Sequence, residues 1–344
     1  MSAPGIHRPE VLVLGATGFV GRALVARLTG SGVPVRALVR RRARAAELPA
    51  GTETVPGDVV EGTGLRAALQ GARIVYYLIH SMGAREGIRD FAALDRTAAR
   101  NLVAAAEAEH VDRIVYLGGL GDDAPVASHH LASRREVGEI LRSGSASVTQ
   151  LRAGIVIGAG GSSFEMMVQL VERLPAMICP RWIDTRCQPI ALDDLVRYLI
   201  ECGHAARTRG ASFDVGGPDV LPYSEILLRI GTEVGRRPCL LVLPRFTPSL
   251  SAHWVGFITD VRPDLARPII DGMYTEAVCR DSRLRDLLPG PLSGVDGAIR
   301  AALAERARAS PAYRVIGGRL PRWFEGRILR LSRPASFPAG PGGS

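Results

Sequence analysis

Short, continuous apolar runs recur along the first half of this chain, and between them the apolar residues fall at helical spacing. Residues 11–14, Val-Leu-Val-Leu, are too few for a helix and show no polar alternation, as in a strand buried on both faces. Residues 34–39, 53–58, 74–79 and 113–117 read as further strands, and residues 148–157 contain a sixth. Helical periodicity fills the intervals at 22–28, 64–70, 86–110 and 131–142. Strand and helix in turn predict a doubly wound parallel α/β sheet of the Rossmann type, with ligands at the carboxyl ends of the strands.

The first strand runs into Gly15, Gly18 and Gly21, and a helical pattern begins at Arg22. This spacing suits a dinucleotide pyrophosphate. Gly15 permits a tight turn, Gly18 lets backbone approach phosphate, and Gly21 lets helix pack on strand. The free N–H groups of the helix start then face the anion. The expected binding segment is Gly15, Ala16, Thr17, Gly18, Phe19, Val20 and Gly21.

After residue 158 the alternation weakens. Helices fit 165–174, 192–201 and 223–234, a late strand fits 213–217, and loops are rich in proline. The expected division is a flexible leader at 1–9, a dinucleotide-binding core at 10–158, and a smaller mixed α/β substrate-covering region at 159–315, free to interleave with the core sheet. A basic, partly disordered tail follows at 316–344.

Composition narrows the choices. Of 344 residues 47% are hydrophobic and 22% charged, which suits a globular protein. No apolar run is long enough to cross a membrane, and the start lacks an apolar signal core, so the expected compartment is the cytoplasm. Five cysteines without a C-x-x-C pair suggest neither a disulfide framework nor a metal site. The formal charge is +9, and all 43 basic residues are arginine. A lysine Schiff base or lysine general base is therefore impossible. The arginines are dispersed and no nucleic-acid-binding signature accompanies them, so no nucleic acid partner is expected.

Several phrases resemble the extended short-chain dehydrogenase/reductases: the glycine turn at 15–21, Thr97-Ala-Ala-Arg-Asn101, Leu151-Arg-Ala-Gly-Ile-Val-Ile-Gly158, Ala191-Leu-Asp-Asp and Phe213-Asp-Val-Gly-Gly. The resemblance covers about residues 9–305 and is nearest to the atypical, NmrA-like NAD(P)H-binding branch. It implies a nicotinamide cofactor. Where NAD-binding members carry an acidic residue after strand two, this chain has Arg40-Arg41-Arg42-Ala43-Arg44, so NADP(H) is expected. Arg40 is the first choice for the 2′-phosphate, Arg41 the second, and Arg22 is near enough to help. A solvated arginine-rich helix start is the rival reading. The resemblance adds Asp58 and Val59 near the adenine, with an ordinary turn aspartate as the alternative, and Leu78 beside the cofactor.

The usual catalytic set is missing. Typical members pair a tyrosine with a lysine four residues on, which this chain cannot do. The matching helix offers His130 and Arg134 at the same spacing. Strand five is followed by Gly118-Gly-Leu-Gly121, without a hydroxyl, and Asp95 stands near the family's asparagine. His130 is the candidate proton donor, with Arg134 as a ribose ligand; a binding-only remnant is the alternative. His80 and Ser81, at the end of strand four, sit where nicotinamide or substrate belongs, and His80 is a second donor candidate. Tyr76 and Tyr77 read as core. Asp193 and Asp194 read as a helix N-cap. Met166, Met167, Trp182, Trp254 and Phe257 either line a hydrophobic cleft or pack the core. Residues 319–331 form a basic amphipathic pattern suited to an anionic membrane surface or to docking.

These residues favour an NADPH-dependent reductase of a hydrophobic carbonyl, quinone or enone. A nonenzymatic NADP(H)-binding redox sensor, and a redox-neutral cyclase, isomerase or dehydratase, are the alternatives. The expected partner is a hydrophobic small molecule, with a homodimer as a further option.

Overall fold

The computed structural model describes residues 10–80, 91–121, 128–242, 258–260 and 263–309. Strand β1 (Val11–Leu14) lies inside a seven-stranded sheet with β2 (Val35–Val39), β3 (Glu53–Pro56), β4 (Ile74–Tyr77), β5 (Arg113–Gly119), β6 (Ser147–Ala153) and β11 (Ser212–Val215). The order is β11-β6-β5-β4-β1-β2-β3, and every pairing is parallel. β1 sits between β2 and β4, so the crevice above its end is the point where the strand order reverses and ligands bind. The late strand follows the short strands β8 (Ala176–Cys179), β9 (Arg186–Cys187) and β10 (Ile190–Ala191), contributes the seventh member, and ties the second half of the chain to the core sheet.

Helices α1 (Phe19–Gly30), α2 (Leu65–Leu69), α3 (Phe91–Ala108), α4 (His129–Arg142) and α6 (Leu192–His204) cover the sheet. Val13, Leu24, Tyr76, Leu195 and Leu199 fill one face, and Leu12, Leu14, Tyr77, Leu102 and Tyr116 the other. Each such fully buried side chain contributes about 1.5–3 kcal/mol. A third core holds the second half together, between α5 (Ser162–Arg173) and α7 (Tyr223–Glu233). Met166, Met167 and Trp182 lie in that core, with at most 4% of each exposed, so they pack rather than line a cleft.

Several boundaries differ from expectation. The third strand ends at Pro56, and residues 58–63 fold back as a turn in which Asp58 and Thr63 are bridged. The strand expected within 148–157 is two, because the chain breaks at Gly154 before β7 (Val156–Ile157). α4 starts at His129, not 131, because Ser128 caps it and accepts the Leu131 N–H at 3.3 Å. Asp193 and Asp194 lie within the first turn of α6, and Ala191 is the N-cap. Asp194 instead accepts the Ser293 N–H at 2.8 Å, an intramolecular tie. Ser81, Trp254, Phe257 and the 319–331 segment lie outside the described residues.

Candidate active site

The glycine turn follows from steric limits. Gly15 has φ +86°, and a Cβ there would lie 2.8 Å from the Leu78 carbonyl oxygen. A Cβ on Gly21 would overlap the Gly15 carbonyl, so α1 sits directly against the end of β1. Gly18 is the N-cap of α1 and supplies no capping side chain. As first-turn residues, Phe19, Val20 and Gly21 have no helix carbonyl one turn back for their N–H groups, which suits them to an anion. Ala16 is buried beneath the turn. Phe19 is packed by the β7–α5 loop: a Cβ at Gly158 or Gly161 would come within 2.9 or 2.8 Å of its ring. These residues fit the pyrophosphate of a dinucleotide.

Beside the turn, Arg40 and Arg41 are exposed at the end of β2. A 3-10 turn, Arg42–Glu47, then carries Arg44 back onto the glycine loop. Arg44 donates from Nη2 to the Thr17 carbonyl at 3.0 Å and from Nε to Glu47 at 3.0 Å. Arg22 faces the same carboxylate at 3.6 Å. Sequence reasoning did not single out Arg44 or Glu47, although their i, i+3 spacing was visible. Val59 is buried, and Asp58 accepts the Val60 N–H at 2.8 Å, as a turn aspartate does. Asn101 fastens this loop to α3 through the Val59 and Val60 carbonyls.

At the carboxyl end of β4 the structure joins two residues 50 positions apart. His80 Nε2 lies 3.2 Å from His130 Nδ1 and 3.3 Å from its Nε2, and the ring centroids are 4.5 Å apart. Both rings are half-buried. Burial, with the nearby Arg134 charge, pushes His130 down to about 4. Burial, Arg134 and His130 together hold His80 well below its ordinary value. Both imidazoles are neutral near pH 7, so one donates to the other.

Arg134 is only 5% exposed and bridges two strands, donating to the Ile79 carbonyl at 2.9 Å and to the Leu117 carbonyl. Its backbone carbonyl accepts from the Tyr116 hydroxyl at 2.8 Å. β5 runs on through Gly118 and Gly119, which offer no hydroxyl; a Cβ at Gly118 would meet the side-chain end of Gln150 at 2.7 Å, and one at Gly119 that of Leu131 at 2.7 Å. Asp95 is buried and accepts from the Ser133 hydroxyl at 3.4 Å. Tyr76 and Tyr77 are core residues, fully buried, whose hydroxyls burial pushes upward.

A small cavity of about 160 Å³ lies apart from this crevice, at the end of β11, lined by Gln188, Asp214, Cys279 and Arg285. Its polar groups are largely engaged. Asp214 pairs with Arg152 at 2.6 Å and accepts the Arg280 N–H, and Gln188 ties Gly217 to Cys279. Among the described residues no cluster of three or more His, Cys, Asp or Glu could hold a metal, and no helix is long and apolar enough to cross a membrane.

Comparison with known proteins agrees with this geometry. Residues 15–156 match the family described as NAD(P)H-binding. A ceramide reductase of Caulobacter vibrioides is 29% identical over 243 residues, covering 69% of this chain and 74% of its own length. A divinyl chlorophyllide a 8-vinyl-reductase of Oryza sativa is 26% identical over 249 residues, covering 68% of this chain and 61% of the plant protein. In fold, an NADPH-dependent quinone oxidoreductase of Escherichia coli superposes with a TM-score of 0.64 at 18% identity, covering 84% of this chain and 98% of that structure. Residues 15–156 thus carry an NAD(P)H-binding domain, and the chain has the fold of the solved short-chain dehydrogenase/reductases and sugar epimerases on which it superposes.

Proposed function

We propose that this protein is an NADPH-dependent reductase of a hydrophobic carbonyl, quinone or enone, with His130 delivering the proton. The observation that carries the reading is the neutral His80–His130 pair at the end of β4, two residues beyond the Leu78 carbonyl that closes over Gly15. The reductases it resembles act, by name, on ceramide, chlorophyllide and quinone, all largely apolar.

Bound NADPH would supply the hydride. The amides of Phe19, Val20 and Gly21 would hold its pyrophosphate, and Arg44 and Arg22, with Arg40 and Arg41 nearby, would meet the 2′-phosphate. His130 would donate an N–H proton to the substrate oxygen as charge develops there. A neutral imidazole cannot lose a proton without replacement, so His80 would pass its Nε2 proton to His130 and take one from solvent water at its own Nδ1 in the same relay, which leaves both rings neutral. Arg134 positions both rings by fixing Ile79 and the first turns of α4, and its charge keeps them from holding an excess proton.

The test is NADPH oxidation against a panel of quinones, enones and long-chain carbonyls. Consumption of NADPH with at least one of them is expected. Tight NADPH binding with no oxidation across the panel would contradict the reading and favour a sensor.

A further inference from the structure

We propose that Glu47 is a specificity-determining residue that competes with the cofactor's 2′-phosphate for Arg44 and Arg22. The inference rests on the reading that the adenosine ribose lies beside Thr17 and the end of β2. Glu47 takes both donors of the Arg44 fork, at 3.0 and 3.1 Å, and lies 3.6 Å from Arg22. The same fork is anchored on the glycine turn through the Thr17 carbonyl at 3.0 Å. One carboxylate thus faces two cations, Arg44 and Arg22, beside the turn.

Charge and hydrogen bonding set the consequence. A 2′-phosphate carries more negative charge than a carboxylate and presents more acceptors, so it displaces Glu47 from the arginines, at the cost of a like charge nearby. A 2′-hydroxyl cannot displace it; it donates to the carboxylate instead. Glu47 therefore opposes NADPH and supports NADH, and it narrows a preference that the arginines alone would make wide. The three side chains are between 38% and 46% exposed, so screening keeps the effect moderate.

Adenosine-end fragments isolate this term from the nicotinamide chemistry. Binding of 2′,5′-ADP and of 5′-AMP is measured calorimetrically at low salt for wild type, Glu47→Gln, Arg44→Gln and the double variant. Glu47→Gln is expected to tighten 2′,5′-ADP about three- to tenfold and to leave 5′-AMP unchanged or weaker. Arg44→Gln is expected to weaken 2′,5′-ADP and to remove most of the benefit of the Glu47 change. An unchanged ratio in Glu47→Gln, with wild type still binding NADPH, overturns the inference and leaves the reductase reading standing. Wild type that binds no nucleotide overturns both. Circular dichroism confirms the fold of each variant, and Glu47 lies outside the three hydrophobic cores.

Discussion

The glycine turn at residues 15–21 and the histidine crevice at residues 80, 130 and 134 lie at neighbouring strand ends, yet they are built in opposite ways. The turn is local. Seven consecutive residues, a positive φ and two positions without room for a Cβ determine it. The crevice is assembled by topology: His80 comes from the end of β4 and His130 from the first turn of α4. Neither histidine has meaning without the parallel pairing of β4 and β5 and the Arg134 bridge between their ends. Holding a dinucleotide is thus written into a short phrase, and the chemistry done with it depends on the tertiary fold.

The comparison can be broken most severely at the turn. Gly21→Ala places a methyl group into the Gly15 carbonyl and 2.9 Å from Ala16 Cα, so α1 must shift. We expect NADPH affinity to fall at least about a hundredfold, with a stability loss of about 1–3 kcal/mol. Calorimetric titration beside a denaturant melt measures both. In the crevice, Arg134→Gln strips a buried donor from the Ile79 and Leu117 carbonyls. A loss of about 2–4 kcal/mol is expected in the same melt, with NADPH affinity much less affected.

A smaller effect sharpens the comparison through pH. His130 is held near 4 in the folded protein against about 6.5 unfolded. Below pH 6.5 the unfolded chain takes up a proton that the folded one refuses, so stability falls as pH drops towards 4. Between pH 7 and pH 5 this should amount to about 1–2 kcal/mol in wild type and be smaller in His130→Gln. In Arg134→Gln the sensitivity should also shrink, because the charge that helps depress both histidines is gone. An acid limb identical in all three proteins would mean that the pair is not held neutral by its surroundings.

How much of this was legible in the sequence follows the same divide. The alternating strands, the glycine turn and the late strand were readable because each rests on local patterning, and Phe213 to Val215 take their place beside β6. His80 and His130 were each identifiable as candidates, but their contact was not, since nothing in spacing joins residues on separate elements. The start of α4 was missed because the Ser128 cap outweighed apolar periodicity, and that shift puts His130 in the first turn. Emphasis on Arg40 and Arg41 overlooked the 3-10 turn, whose tighter winding returns Arg44 to Thr17. The lack of a hydroxyl at Gly118-Gly119 was visible, but the extension of β5 through both residues, against the side chains of Gln150 and Leu131, was not.

The most direct test of the central claim separates holding from chemistry at His130. Single-turnover oxidation of bound NADPH by an active quinone or carbonyl is compared in wild type and His130→Gln, alongside NADPH affinity. The account predicts unchanged affinity and turnover slower by about a hundredfold or more. Turnover within about twofold of wild type would contradict it, and would assign the proton to another group.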